Sequence, residues 1–250
     1  MSDLMQRPIH LTAQEILESL QFKKGDFGEI ALVSGQIQRA QACLKYLENP
    51  IKNFTFLGYT FWTGYYKGKK ITVGNGGFYS PDSAFVTELL CTGGINVLIR
   101  LGSCGALKEK INIGDFIVID KIIRGEGATR YYVDDSFISK VDKDLTDKIY
   151  QVFIDRKEQE NIFRGGVWTT DALLRETKEI VNFYIRKEAI CVDMVSSPFV
   201  TIADLYNKKA AVVLAVSDNL ITGELGFVDF RFFSAQEKMI KNIFEIVERL

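Results

Sequence analysis

Short apolar segments alternate with longer segments of helical spacing along most of this chain. Residues 210–216 are nearly all apolar, which is typical of a strand buried on both faces of a sheet. Residues 234–250 predict an amphipathic helix, which opens on a capping-box pattern formed by Ser234 and Glu237. The alternation predicts an α/β fold: a single domain over residues 1–250, with a mixed, largely buried central sheet flanked by helices.

The remaining pattern adds further elements to this framework. Lys67 and Gly68 predict a hairpin turn after the aromatic segment 54–66. Ser80 is predicted to cap a helix that has Pro81 in its first turn and ends at a glycine pair. The other expected strands cover residues 29–33, 70–73 and 114–119, and the other expected helices cover residues 39–47, 146–156 and 175–187.

Residues 100–106 read Arg-Leu-Gly-Ser-Cys-Gly-Ala and follow the apolar run 95–99. We expect a tight glycine turn here, which would bring the Arg100 guanidinium, the Ser103 hydroxyl and free backbone N–H groups together at a strand end. Arginine donors and outward-pointing amides are groups that bind anions. The alternative interpretation is an ordinary strand-to-loop turn with a solvated arginine.

Polar residues also follow two other predicted strands. Gly35 and Arg39 come after the first strand, while Ser217 and Asp218 follow the apolar strand 210–216. Ligands of open α/β sheets bind at the carboxyl ends of the strands, so these strand ends predict one common site. For Arg39 the alternative is an exposed arginine at the start of a helix.

The composition is that of an ordinary soluble globular protein, with 47% hydrophobic and 25% charged residues and a formal net charge of −1. The chain has no basic arm and no apolar run of membrane-spanning length, so nucleic acids and membranes are not expected partners. Its first residues lack the apolar core of a signal peptide, and we therefore expect a cytoplasmic protein.

The cysteines and the histidine bear on several kinds of site. The four cysteines are far apart and His10 is the sole histidine, so no metal site is expected. Cys104 is better interpreted as a buried packing residue than as a nucleophile. Ser103 does not lie in a Gly-x-Ser-x-Gly sequence and no histidine follows it, which argues against the hydrolase triad associated with that motif.

With these motifs in place, the chain resembles the nucleoside phosphorylase family, in the trimer-of-dimers branch. The resemblance extends from Pro8 to the C-terminal helix, and it rests on residues 100–106, the pair Gly114-Asp115, and residues 192–194 and 216–219. It implies phosphorolysis of a nucleoside, most simply a purine nucleoside, to the free base and a pentose 1-phosphate. Inorganic phosphate would be the co-substrate, and no metal or organic cofactor is implied.

The resemblance also implies a role for individual side chains. Asp218 would protonate the base at N7, with Arg231 assisting it. His10 would reach the sugar in the site of a neighbouring subunit, which implies a homo-oligomer built from dimers, with a hexamer as one form. The other implied contacts are Gly35, Arg39, Arg100 and Ser103 with phosphate, Asp193 and Met194 with the sugar, and Cys104, Gly105, Leu173 and Ser217 with the base.

Two departures from the family pattern keep other functions open. Val195 stands where the family has a glutamate that binds the ribose hydroxyls, and Asp193 is a possible substitute. Residues 124–129 resemble the uridine phosphorylase branch, although the insert that would hold uracil is missing before Cys191. The alternatives are therefore a uridine phosphorylase, a methylthioadenosine phosphorylase or nucleosidase, and a non-catalytic nucleoside-binding protein.

Overall fold

The computed structural model describes residues 8–156 and 160–250, and a mixed ten-stranded sheet runs through its centre. In chain order the strands are β1 (Ile30–Ser34), β2 (Glu48–Phe56), β3 (Tyr59–Tyr66), β4 (Lys69–Asn75), β5 (Val97–Ala106), β6 (Phe116–Gly125), β7 (Ile162–Thr170), β8 (Ala189–Asp193), β9 (Lys209–Asn219) and β10 (Glu224–Leu225).

Helices connect these strands and cover both faces of the sheet. In chain order they are α1 (Ala13–Ser19), α2 (Ile37–Leu44), α3 (Ser80–Thr92), α4 (Lys143–Asp155), α5 (Lys178–Arg186), α6 (Ser196–Leu205) and α7 (Phe230–Arg249). Short 3₁₀ turns lie at Thr129–Tyr131 and Leu173–Arg175. The predicted α/β architecture is confirmed.

Strands β1, β5 and β9 run parallel to one another in a sheet of order β10-β9-β6-β7-β8-β5-β1-β4-β3-β2. Leu32 of β1 pairs with Ile99 of β5, and Leu101 of β5 pairs with Val213 of β9. The additional pairing of β5 with β9 closes β5, β8, β7, β6 and β9 into a ring. The carboxyl ends of the three parallel strands therefore meet at one edge, as the sequence predicts.

Both faces of β9 are buried, which explains its nearly all-apolar sequence. Val212 and Leu214 pack in one cluster with side chains of α3 and α6, including Phe199. Val213 packs in the cluster on the opposite face with side chains of α4 and α7, including Ile243. Because burying each such side chain contributes about 1.5–3 kcal/mol, these two layers hold β5 and β9 rigidly beneath the site.

The predicted glycine turn is wrong, because β5 continues unbroken through the motif from Arg100 to Ala106. The glycines are required by close packing instead. A Cβ at Gly102 would lie 2.4 Å from Leu214 Cδ2, and one at Gly105 would lie 2.8 Å from Asp218 Oδ2. The pairing with β9 shifts register between Cys104 and Gly105, which leaves an extra residue on β9 and bends the end of the ladder.

Several helices begin at other residues than the sequence predicts: α2 begins at Ile37 rather than Arg39, and α4 at Lys143 rather than Thr146. Helix α7 begins at Phe230 rather than Ser234, because the Asp229 side chain accepts a hydrogen bond from the Arg231 N–H and caps the helix there. Helix α5 begins at Lys178, with Thr177 as its cap, and the segment before it forms the short 3₁₀ turn.

The hairpin turn at Lys67 and Gly68 is confirmed, with both residues at positive φ, as a two-residue turn between twisted strands requires.

Helix α3 begins one residue earlier than the sequence predicts. Ser80, the predicted cap, is already helical, Tyr79 is the cap residue, and the carboxylate of Asp82 accepts a hydrogen bond from the Tyr79 N–H. None of the helices in residues 8–156 and 160–250 combines the length and apolar character needed to cross a membrane.

Candidate active site

A cavity of about 230 Å³ opens at the edge where β1, β5 and β9 end. It brings together the predicted site residues except His10 and Arg231. The predicted residues that line it are Gly35, Arg39, Arg100, Ser103, Cys104, Gly105, Leu173, Asp193, Met194, Ser217 and Asp218.

One end of the cavity holds the guanidinium of Arg39, which is 4% exposed. Its Nη1 donates to the Leu101 carbonyl at 2.8 Å, and its Nη2 donates to Ser103 Oγ at 2.7 Å. Gln236 Oε1, on α7, accepts from Nε and Nη2 at 3.2 and 2.8 Å. Burial, together with the charge of Arg100, lowers the pKa of Arg39 to about 10. Arg39 is therefore a buried cation whose bonded partners in the described chain are neutral oxygens.

Arg100 lies beside it and is also buried, but it has a carboxylate partner. Its Nη2 is 3.4 Å from Asp193 Oδ2, and its Nε donates to Ser196 Oγ at 3.3 Å. Burial lowers the pKa of Arg100, and the charge of Asp193 opposes that shift. Two guanidinium groups thus stand beside one carboxylate, which is bound to Arg100 alone, so this end of the cavity keeps a net positive charge that suits an anion.

The resemblance implies that Asp193 contacts the sugar. In the structure, both of its carboxylate oxygens accept hydrogen bonds from neighbouring protein groups. Thr169 Oγ1 donates to Oδ1 at 2.8 Å, and Ser196 Oγ donates to Oδ2 at 2.6 Å. The Ser196 N–H adds a bond to the same carboxylate at 3.0 Å. With Arg100 also bound, this geometry favours a role in holding Arg100 in place over a contact with sugar hydroxyls.

The other end of the cavity holds Asp218, which lies at the end of β9. Burial raises its pKa above the usual range, and the hydrogen bond from Ser217 opposes that shift. The Ser217 oxygen lies 2.7 Å from Asp218 Oδ1 and 3.1 Å from the Cys104 carbonyl oxygen. A hydroxyl has one proton, so when Ser217 donates to the carbonyl, a protonated Asp218 completes the chain by donating to Ser217.

Glu176 is the charged cavity residue that sequence reasoning missed. It lies between the 3₁₀ turn Leu173–Arg175 and the cap residue Thr177, in a segment with no recognisable motif. Burial, together with the charge of Asp218, raises the pKa of Glu176 to about 7. The cavity therefore has a second carboxyl group, besides that of Asp218, whose pKa is raised.

The remaining lining is mostly apolar. Val195 is 4% exposed and lies in the wall, so a hydrocarbon side chain occupies the position where the resemblance implies a glutamate. Serines of α3 fix this segment, because Ser80 Oγ donates to the Met194 carbonyl and Ser83 Oγ donates to the Val195 carbonyl. Burial raises the pKa of the Cys104 thiol well above its usual value, which agrees with a packing role.

Arg231, which the resemblance implies assists Asp218, does not contact that residue in this structure. Its exposed side chain is bound to the carboxylates of Asp229, at 2.7 Å, and Glu224, at 2.5 Å. The carboxylate of the cap residue Asp229 accepts hydrogen bonds from both the backbone N–H and the Nε of Arg231. These bonds hold the guanidinium on the outside of α7.

His10 is exposed and lies before α1, outside the cavity. A single chain does not test its expected contact with a neighbouring subunit. Within the part of the chain that the structure describes, no group of three or more His, Cys, Asp and Glu side chains is arranged to hold a metal ion.

Comparison with known proteins places this site in a family. A family model described as the Phosphorylase superfamily matches residues 29–250. A relative named purine nucleoside phosphorylase DeoD-type, from Brevibacillus brevis, is 30% identical over 226 residues, which cover 89% of this chain and 92% of the relative. A relative of the same name from Caldanaerobacter subterraneus is 32% identical over 213 residues, which cover 81% of this chain and 88% of the relative.

Solved structures support the same fold. Uridine phosphorylase from Vibrio fischeri, complexed with 6-hydroxy-1-naphthoic acid, superposes with a TM-score of 0.82 at 20% identity, covering 92% of this chain and 96% of that one. Purine nucleoside phosphorylase from Toxoplasma gondii, in complex with immucillin-H, gives a TM-score of 0.82 at 18% identity, covering 97% and 96%. On the family match and the sequence relatives together, the chain belongs to the phosphorylase superfamily.

Proposed function

We propose that this protein cleaves purine nucleosides with inorganic phosphate, which yields the free base and a pentose 1-phosphate. The observation that carries the proposal is a single cavity with two buried guanidinium groups at one end and a protonatable carboxyl group at the other. The names of the sequence relatives support it, since both describe purine nucleoside phosphorylases.

In the proposed mechanism, Arg39, Arg100 and Ser103 bind phosphate beside the backbone of Gly35. A phosphate oxygen attacks the anomeric carbon while the bond from that carbon to the base nitrogen breaks. The sugar becomes cationic in the transition state, and the departing base carries the electron pair of the broken bond. Preorganised charge at the phosphate end contributes about 3–4 kcal/mol to such a step.

Asp218 completes the reaction by giving a proton to N7 of the departing base, a step that contributes about two to four orders of magnitude in rate. The raised pKa of Asp218 supports this assignment, because a donor must hold its proton near neutral pH. Met194 would pack against the sugar, and Cys104, Gly105, Leu173 and Ser217 would surround the base. The mechanism uses phosphate as co-substrate and requires no further cofactor.

The alternatives differ in what they require of these residues. A nucleosidase would use water and would not need two buried arginines around an anion. A non-catalytic binding protein would not need the carboxyl group of Asp218. A uridine phosphorylase would use a base without N7. Arg124, the first residue of the segment 124–129 that resembles this branch, donates to the Asp134 and Phe137 carbonyls and does not line the cavity.

The test of the proposed function is a substrate panel of inosine, adenosine, methylthioadenosine and uridine, each with and without phosphate. We expect cleavage of purine nucleosides only when phosphate is present, with pentose 1-phosphate as the product. Equal turnover in phosphate-free buffer would identify a nucleosidase, and cleavage of uridine alone would identify the pyrimidine branch.

Val195 leads to a prediction about the sugar. Because no carboxylate stands at this position and Asp193 is bound to Arg100, kcat/KM for inosine and 2′-deoxyinosine should agree within about fivefold; a hydrogen bond to a charged acceptor would separate them by more. Val195→Glu should restore a preference for the riboside. A strong riboside preference in the unchanged protein would contradict this prediction.

We also propose an active homo-oligomer, at least a dimer and up to a hexamer, in which His10 reaches a neighbour's sugar site. The exposure of His10 leaves it available for such a contact. Light scattering combined with activity measurements tests this, and a fully active monomer would refute it. We further propose that residues 1–250 form one domain and that the protein acts in the cytoplasm.

A further inference from the structure

Glu176 lines the cavity but has no role in the mechanism above. Its neighbours Arg175 and Thr177 are exposed, whereas Glu176 itself is partly buried against the cavity. Leu173, from the 3₁₀ turn just before it, lines the same wall. The chain therefore turns one carboxylate of a solvent-exposed segment inward, towards the space assigned to the base.

The charges around Glu176 are unequal at the two ends of the cavity. Arg39 on α2 and Arg100 on β5 lie at the phosphate end, where Asp193 on β8 is bound to Arg100. The charged group that acts on Glu176 is Asp218 on β9, and burial acts in the same direction. Burial and that negative charge both disfavour the ionised form of Glu176, so its pKa lies above the ordinary value of a glutamate.

The chemistry of a purine links the two groups. N7 and the substituent on C6 are neighbours on one edge of the base. Glu176 and Asp218 line the same cavity, so Glu176 is a carboxyl group available to the C6 substituent when Asp218 faces N7. An ionised carboxylate only accepts hydrogen bonds, which suits a 6-amino group; a protonated carboxyl group also donates, which suits a 6-oxo group.

We propose that Glu176 determines which purine this site prefers, accepting from a 6-amino group when ionised and donating to a 6-oxo group when protonated. This inference rests on one part of the proposed function, the binding of a purine with Asp218 at N7, and not on the phosphorolysis itself. The pKa of Glu176, at about 7, puts the change of preference near neutral pH. The site would then favour inosine in mild acid and adenosine in mild base.

The test is the ratio of kcat/KM for adenosine to kcat/KM for inosine, measured from about pH 5.5 to about pH 8. Both substrates need the proton of Asp218, so its titration cancels in the ratio, and kcat/KM reports groups of the free enzyme. We expect the ratio to rise about tenfold across this range, the effect of one hydrogen bond to a charged group.

The variant Glu176→Gln should give a ratio that does not change with pH, because an amide donates and accepts at every pH. Glu179→Gln is the matched control: Glu179 is exposed in the first turn of α5, and its replacement should leave the rising ratio intact. A flat ratio in the unchanged protein, or a rising ratio in Glu176→Gln, would overturn the inference.

Binding of the free bases adenine and hypoxanthine, measured by calorimetry over the same pH range, needs no turnover. It should show the same change of preference in the unchanged protein and none in Glu176→Gln. If the preference changes with pH but phosphate-dependent cleavage is absent, the inference stands and the proposed function is wrong. If cleavage depends on phosphate and neither ratio changes, the inference alone is wrong.

Discussion

Replacing Asp218 with asparagine is expected to lower kcat for purine nucleosides by about two orders of magnitude or more, while nucleoside affinity changes much less. The amide has the shape of the acid and keeps a hydrogen bond to Ser217, but it has no proton to give to N7. The base would then have to leave as an anion.

The location of Asp218 explains why such a large effect is expected. It lies at the end of a strand that is buried on both faces, and Gly105 packs so closely that a Cβ there would be 2.8 Å from its Oδ2. Burial raises its pKa, so the protonated, active form is lost as the pH rises through that raised value. Activity should therefore fall on the alkaline side, and the fall should be absent from the residual activity of Asp218→Asn.

Asp144→Asn is a suitable control, since Asp144 is exposed on α4 and far from the cavity lining. It should retain full activity. If Asp218→Asn also retains its turnover and uridine proves the better substrate, the purine assignment is wrong, and the resemblance of residues 124–129 to the pyrimidine branch is the better guide.

The sequence predicts that these polar residues come together because strand direction can be inferred from it. Residues 210–216 are apolar on both faces and Arg100 follows another apolar run, which are features of buried, mostly parallel strands. Because β1, β5 and β9 are neighbouring parallel strands, the polar residues that follow their carboxyl ends lie at the same edge of the sheet. This is why Arg39, Ser103 and Asp218 share one cavity although they are far apart in the chain.

The features that the sequence does not predict have a different origin, since each depends on a contact that no local pattern records. Gly102 and Gly105 suggest a turn, yet they serve close packing inside a continuous strand. Arg231 has the family spacing from Asp218, but the cap residue Asp229 binds it on the outside of α7. Gln236, which orients Arg39, comes from α7 and has no motif of its own.

Glu176 shows the same limit most clearly. A single glutamate among exposed neighbours has no signal in the sequence, because its inward direction depends on how the 3₁₀ turn Leu173–Arg175 meets α5. Its raised pKa likewise depends on its burial against the cavity and on the charge of Asp218, a residue on a distant strand. Such properties follow from tertiary structure and become visible only when the cavity is assembled.

The substitution Arg100→Ala is expected to raise KM for phosphate by about a hundredfold or more, with a much smaller effect on nucleoside binding. The reason is that Arg100 is buried and fixed by Asp193 and Ser196, so it meets the anion without reorganising. Initial rates with phosphate varied at saturating nucleoside measure this, and a thermal shift on adding phosphate should be present in the unchanged protein and absent in the variant.

Loss of Arg100 alone also leaves Asp193 buried without its cation, which costs about 3–5 kcal/mol of folding free energy. The double variant Arg100→Ala, Asp193→Asn removes both charges and is expected to recover most of that stability while its KM for phosphate stays high. This pair separates the two roles: stability follows the balance of buried charge, whereas phosphate affinity follows the guanidinium. Phosphate saturation that is unchanged in a folded double variant would show that Arg100 only balances Asp193, and the phosphate site would have to be sought around Arg39 instead.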